Sequence, residues 1–240
     1  MEGRRPPPYP PVRLAERVAA LEDREVVVSP PFTGLYEAVR AARGTRVSVS
    51  SQDVFWETEG AYTGEIAARM LSDLGVKATI VGHSERRRLF GDTDVTAAKK
   101  VRAALDQGLS VILCVGETEG EREAGRTEEV LSIQVPAGLA SVHSEEVGLV
   151  AIAYEPVWAI GTGKTATAES AQGAIAFVRT QVAAALGPAA AAVVRILYGG
   201  SVRPDNIDLL MAQPDIDGVL AGGASLDLDS FTRIVRFVKL

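Results

Sequence analysis

Hydrophobic and polar positions alternate between two rhythms along this chain. Short β-branched runs recur at Val26–Val28, Val47–Val49, Thr79–Val81, Val111–Val115, Val150–Ala153, Val193–Leu197 and Ile216–Leu220. Each has the length of a buried strand and is bounded by Gly, Pro, Ser or Asp. Between them, amphipathic stretches predict helices over Val12–Leu21, Ala97–Leu105, Glu128–Leu139, Ala168–Leu186 and Ser230–Val238. Strands separated by helices imply right-handed crossovers and a parallel sheet. So many strand–helix units exceed a small doubly wound domain and suit an α/β fold, a (β/α)8-type barrel with both sheet faces buried. Only seven strands are legible where a closed barrel of this kind needs eight.

The first eleven residues break the rhythm. They hold five of the chain's twelve prolines, at positions 6, 7, 8, 10 and 11. Proline lacks the N–H that a strand ladder needs, so residues 1–11 read as an extended segment. No Ser/Gly linker or shift in composition divides the rest of the chain, and residues 12–240 read as one domain.

Several strand ends carry candidate chemistry. In Val81-Gly82-His83-Ser84-Glu85-Arg86-Arg87 a strand ends in a histidine and a glutamate two residues apart. In Ala153-Tyr154-Glu155-Pro156-Val157-Trp158 another ends in a carboxylate. Sites on parallel barrels lie at the C-terminal strand ends, so His83 and Glu155 are candidates for proton transfer. The plainer readings are a satisfied core histidine and a surface charge. Three glycine-bearing turns follow, at Gly161-Thr162-Gly163, Gly199-Gly200-Ser201 and Gly222-Gly223. Such turns let backbone N–H groups approach an anion, and otherwise are ordinary strand-to-helix connections. Gly163-Lys164-Thr165 is not a phosphate-binding loop of the nucleotide type, because Trp158 stands where that motif needs its first glycine.

Composition narrows the classes. A net charge of −6 and a pI near 5.1 argue against a general nucleic-acid-binding role. No apolar run is long enough for a membrane span. Cys114 is the lone cysteine, so an internal disulfide is excluded, and two histidines, His83 and His143, make a conventional zinc site hard to assemble. The expected setting is the reducing cytoplasm. Cys114 ends an apolar strand and reads as a small buried hydrophobe, and His143 reads as a surface residue. Glu119–Arg126 reads as a solvated helix start or loop, and Arg86-Arg87-Arg88 as a run paired with nearby acids such as Asp92.

The segments Val81–Arg87, Ala153–Thr167, Tyr198–Val202 and Gly222–Leu226 resemble the signature segments of the triosephosphate isomerase family. Gly60-Ala61-Tyr62-Thr63-Gly64-Glu65 and Cys114-Val115-Gly116-Glu117-Thr118 resemble it too, and the likeness runs from about Val26 to Leu240. The resemblance implies interconversion of dihydroxyacetone phosphate and glyceraldehyde 3-phosphate, within glycolysis and gluconeogenesis. Glu155 would be the base and His83 a neutral electrophile of lowered pKa, a division of roles known for this isomerase. Glu85 would lie beside them. Gly161, Ser201, Gly222 and Gly223 would hold the phosphate through backbone N–H groups, and Trp158 to Thr165 would form a lid. The resemblance implies a small phosphorylated sugar as substrate, a homodimer, and no metal or organic cofactor.

Two departures qualify this picture. The family's first strand carries Asn-x-Lys, whereas here the first lysine is Lys77 and the only asparagine is Asn206. Counting back from Pro30, that motif falls at or before Met1, so the first strand and its cation are expected to be missing. Arg4, Arg5 and Arg13 lie nearest in sequence, but guanidinium and ammonium groups are not interchangeable. The family's Gln-Asn pair reads Gln52-Asp53, at a position tied to the subunit contact. Weak activity and a weakened dimer are therefore expected. Isomerisation of another short phosphosugar, or a non-catalytic phosphate-binding remnant, are the alternative readings.

Overall fold

Seven strands pair side by side in strict chain order, all parallel. The computed structural model describes residues 10–160 and 166–239, with side chains from residue 13. The strands are β1 (Val26–Val28), β2 (Val47–Ser51), β3 (Ala78–Val81), β4 (Ser110–Val115), β5 (Val150–Tyr154), β6 (Arg195–Tyr198) and β7 (Gly218–Val219). The helices are α1 (Pro10–Val18), α2 (Leu35–Ala42), α3 (Ala68–Leu74), α4 (Ser84–Phe90), α5 (Asp94–Asp106), α6 (Glu119–Glu123), α7 (Thr127–Leu139), α8 (Ala168–Leu186), α9 (Pro188–Val193), α10 (Ile207–Met211) and α11 (Leu228–Val235). This is the expected α/β architecture of the (β/α) barrel type.

Sequence explains most of these elements directly. Thr93 caps α5 by accepting the Thr96 N–H at 3.2 Å, and Ala97, Val101, Ala104 and Leu105 then form its buried stripe. Thr167 does the same for α8, where Ala171, Ala174, Ile175, Val178 and Val182 face the core. Several boundaries differ from expectation, α11 among them, and two of the differences have a plain chemical cause. Pro10 and Pro11 open α1, because a missing N–H and a fixed φ suit the first helical turn; the rest of the proline-rich segment lies outside the described residues. Val193 ends α9 instead of opening β6, since Pro188 starts a helix through an alanine run.

The main core fills the space between the outer sheet face and the helices, with Leu71, Val101, Leu113, Leu131, Ile152, Ile175 and Ile196 fully buried. A smaller cluster on the inner face joins Ile80, Cys114 and Ala153. Strands β3 and β5 are buried throughout, whereas Val27, Val28, Gly218 and Val219 are half-buried. Strands β1 and β7 are the two sheet edges, and among the described residues no eighth strand lies between them. The helical layer nonetheless closes around that gap. Leu14, Ala15 and Val18 of α1 pack with Val26, Val47 and Val235. Arg17 pairs with Asp229, Arg24 donates to the Val235 carbonyl at 2.7 Å, and Arg195 pairs with Glu25.

One polar clamp lies well away from the strand ends. Arg102 of α5 donates to both Glu146 carboxylate oxygens, at 2.6 and 2.8 Å, and to the Ser141 carbonyl at 2.7 Å. These bonds hold the Glu146 carboxyl down to a pKa of about 2. A depressed carboxyl pKa contributes stability above the unfolded value and loses it as pH falls through the folded one. Glu146→Gln should therefore lower the unfolding free energy at pH 7 by about 1 kcal/mol. In urea titrations from pH 7 to pH 3 the difference should shrink below pH 4.5, the ordinary value for this carboxyl. A pH-independent difference would contradict this assignment.

Candidate active site

Parallel pairing in chain order brings the C-terminal strand ends to one mouth. His83 stands two residues beyond β3, Glu155 one beyond β5, Ser201 three beyond β6 and Gly222 three beyond β7. Gly82, at φ +71°, supplies the left-handed turn that carries the chain from β3 into His83. His83 caps α4, and Glu85 follows in its first turn.

The two groups expected to transfer protons meet. His83 Nε2 lies 2.9 Å from Glu155 Oε1. The Ser84 N–H donates to Glu155 Oε2 at 2.8 Å, and the Glu85 N–H donates to His83 Nδ1 at 3.3 Å. With Nδ1 accepting, the network assigns the ring proton to Nε2, facing the carboxylate. Glu155 is 2% exposed, and its own N–H donates to the Val115 carbonyl at 2.7 Å. The Glu85 carboxylate stays mostly exposed, 3.9 Å from His83 Nδ1.

The His83 pKa departs from the lowered value implied by the family resemblance. Burial is the largest influence and pushes it down, but the Glu155 hydrogen bond and charge, with Glu85, push it up and prevail. Among the described residues neither His83 nor Glu155 has a Lys or Arg partner. Arg13 is exposed on α1 in the outer layer, and Arg4 and Arg5 lie outside the described residues. Cys114 is fully buried next to this pair; burial first, then the Glu155 charge, raise its pKa well above the ordinary thiol value. That is the inert small side chain expected of it.

Sequence reasoning passed over Glu117. It is fully buried two residues beyond β4, accepts the Trp158 Nε1–H at 2.8 Å and accepts the Tyr154 hydroxyl at 3.0 Å. Burial, reinforced by the Glu117 charge, raises the Tyr154 pKa. The signal was present: Glu117 ends a strand in Cys114-Val115-Gly116-Glu117-Thr118, as His83 and Glu155 end theirs. Trp158 sits in a short 3-10 turn, Val157–Ala159, at the start of the segment read as a lid. Gly161 and the remainder of that segment to Thr165 lie outside the described residues.

The other anion-binding candidates lie on neighbouring turns. The Ser201 carbonyl accepts from Asn206 Nδ2 at 2.9 Å, which ties the β6 turn to α10. Gly222 precedes the 3-10 turn Gly223–Leu226, and its carbonyl accepts from the Ser225 N–H and hydroxyl. A Cβ at Gly222 or Gly223 would meet nothing within 4 Å, so the space beside both is open.

The triosephosphate isomerase family model matches residues 12–238. A triosephosphate isomerase from Moorella thermoacetica is 57% identical over 226 residues, 94% of this chain and 90% of that protein. Triosephosphate isomerases from Trichlorobacter lovleyi and Solibacter usitatus are 52% and 54% identical, over 93% and 89% of this chain and 89% and 86% of theirs.

The placement of Glu155 depends on a close approach at Gly116. A Cβ there would lie 1.8 Å from the Glu155 carbonyl oxygen. Gly116→Ala should thus displace Glu155, costing about 1–3 kcal/mol of stability. It should also lower the His83 pKa toward its ordinary value as the carboxylate withdraws, read by NMR titration of the two histidines. Gly148→Ala, where nothing lies within 4 Å, serves as the control. An unmoved His83 titration in a folded Gly116→Ala variant would contradict the assigned packing.

Proposed function

The chain belongs to the triosephosphate isomerase family, and from that premise we propose that His83 and Glu155 interconvert dihydroxyacetone phosphate and glyceraldehyde 3-phosphate. The observation that carries the reading is the buried 2.9 Å contact between these two groups at the strand-end mouth. Glu155 acts as the base that moves a proton between the adjacent substrate carbons. It must leave His83 and Ser84 to do so, and that departure removes the contact that raises the His83 pKa. The freed Nε2–H then donates to the substrate oxygen on which charge develops, with the ring neutral. Glu85 orients the ring through its N–H at Nδ1. The backbone N–H groups of Ser201, Gly222, Gly223 and Gly161 receive the phosphate, and the segment from Trp158 to Thr165 closes over the bound sugar. Glu117 anchors the start of that segment through Trp158.

The second feature is electrostatic. Enediolate and phosphate together bring several negative charges to the mouth, while the described residues place no cation on the His83–Glu155 pair. A strand carrying Asn-x-Lys between β1 and β7 would supply the cation and cover both sheet edges. The protein works as a homodimer in this reading, through the loop that exposes Tyr62 and the end of α4 that exposes Leu89 and Phe90.

A coupled isomerase assay tests the proposal. The 240-residue chain should turn over triose phosphate at least about 10²-fold more slowly than a version extended by a strand with Asn-x-Lys. In the extended version Glu155→Gln should lower kcat by about 10²- to 10⁴-fold. Full activity of Glu155→Gln would refute the assignment of the base. A 240-residue chain as fast as the extended one would refute the account of the cation.

Phosphate placement is tested separately, by calorimetry with glycerol phosphate. Binding should be detectable in the parent chain and fall by about tenfold or more with Gly223→Asp, which points a like charge at the anion. Unchanged affinity in that variant would place the phosphate elsewhere.

A further inference from the structure

Helix α4 begins with the residues that hold Glu155, yet it buries only Ser84. Seven residues with so little apolar surface cannot fix their own position by packing. Their place is set by two arginine clamps instead. Arg87 Nε donates to the Gly82 carbonyl at 2.7 Å, and Arg87 Nη1 to Asp94 at 2.6 Å. On the other side, Arg86 Nε lies 2.8 Å from Asp53 Oδ2 and 3.3 Å from Asp92 Oδ2.

Asp53 is the centre of the second clamp. It is 5% exposed, and it stands where the family resemblance leads one to expect an asparagine. Lys100, 2% exposed on α5, lies 2.8 Å from Asp53 Oδ1 and 2.7 Å from Asp92 Oδ2. Two carboxylates and two cations thus form one charge-balanced cluster, buried at Asp53 and Lys100 and half-buried at Arg86, that joins the end of β2, α4, the turn after it and α5. Burial raises the Asp53 pKa, and the Lys100 and Arg86 charges do not fully offset it. Such a cluster is a poor source of net stability, but it fixes geometry, because each oxygen can satisfy only donors in set directions.

We propose that Asp53 is a positioning residue for the isomerase reaction: by holding Arg86 it sets the first turn of α4, and with it the aim of His83 and of the Ser84 N–H at Glu155. The consequence for rate rests on the functional reading above; the consequence for His83 does not. A turn set loosely by even a fraction of an ångström weakens a proton-transfer geometry far more than it weakens substrate binding.

The test uses nitrogen-15 histidine NMR on the 240-residue chain, which has only His83 and His143 to resolve, with kinetics on the extended version. Asp53→Ala should shift the His83 titration midpoint down toward the ordinary imidazole value, leave His143 unmoved, and lower kcat about tenfold with KM within about twofold. Arg102→Met removes a comparable ion pair remote from α4 and should leave His83 and kcat unchanged. If Asp53→Ala does not fold, Arg86→Lys, which keeps the charge but loses the fork, is read by the same two measurements. An unmoved His83 titration with kcat within twofold of the parent, in a folded variant, overturns the proposal. If Glu155→Gln retains full activity, the functional reading fails instead, and the His83 titration still decides the role of Asp53.

Discussion

The arrangement at the strand ends depends on how closely the backbone after β5 can approach the backbone after β4. The Glu155 N–H donates to the Val115 carbonyl, and the Glu155 carbonyl lies where any side chain at Gly116 would be. That single close approach brings a carboxylate into a nearly water-free position, where His83 Nε2 and the Ser84 N–H receive it. Burial makes both contacts strong and makes their loss costly. The Cys114 thiol on the inner face and the Tyr154 hydroxyl on the outer face each have their pKa raised, by burial first and then by a neighbouring carboxylate, Glu155 and Glu117 respectively.

Much of this was legible in the sequence. All seven β-branched runs became strands because parallel strands buried on both faces need continuous apolar residues, and runs such as Val150–Ala153 supply them. Helix α8 matched its predicted limits because Thr167 and Gly187-Pro188 mark both ends chemically. Helix α4 was not legible: its residues include Glu85, Arg86, Arg87 and Arg88, with no apolar periodicity, and it forms around side-chain clamps made with residues distant in sequence. The His83–Glu155 contact was readable as two strand ends with ionisable residues. Glu117 carried the same signal and was missed, because a glutamate after Gly116 also fits an ordinary exposed turn.

Among the described residues the sheet has two edges, β1 and β7. Strands β1 and β7 remain half-buried although α1 and α11 pack together outside them, so the described residues form a closed helical layer around an open sheet. Among the described residues Glu155 and Glu85 flank His83 without a cation, whereas Glu117 has Arg122 Nη1 at 3.8 Å and the Ser201 hydroxyl has Arg203 Nη1 at 3.4 Å. Burial lowers the His83 pKa, but the hydrogen bond and charge of Glu155, with the charge of Glu85, raise it by more.

The most direct measurement follows the proton itself. Dihydroxyacetone phosphate incubated with the 240-residue chain in deuterium oxide can be monitored by proton NMR for exchange at the carbon next to the carbonyl. This reports abstraction even where overall turnover is slow. Deuterium should enter at that carbon with the parent chain and fail to enter above the uncatalysed rate with Glu155→Gln. Exchange that continues undiminished in the Glu155→Gln chain would show that another group takes the proton, and the account of the site would be wrong.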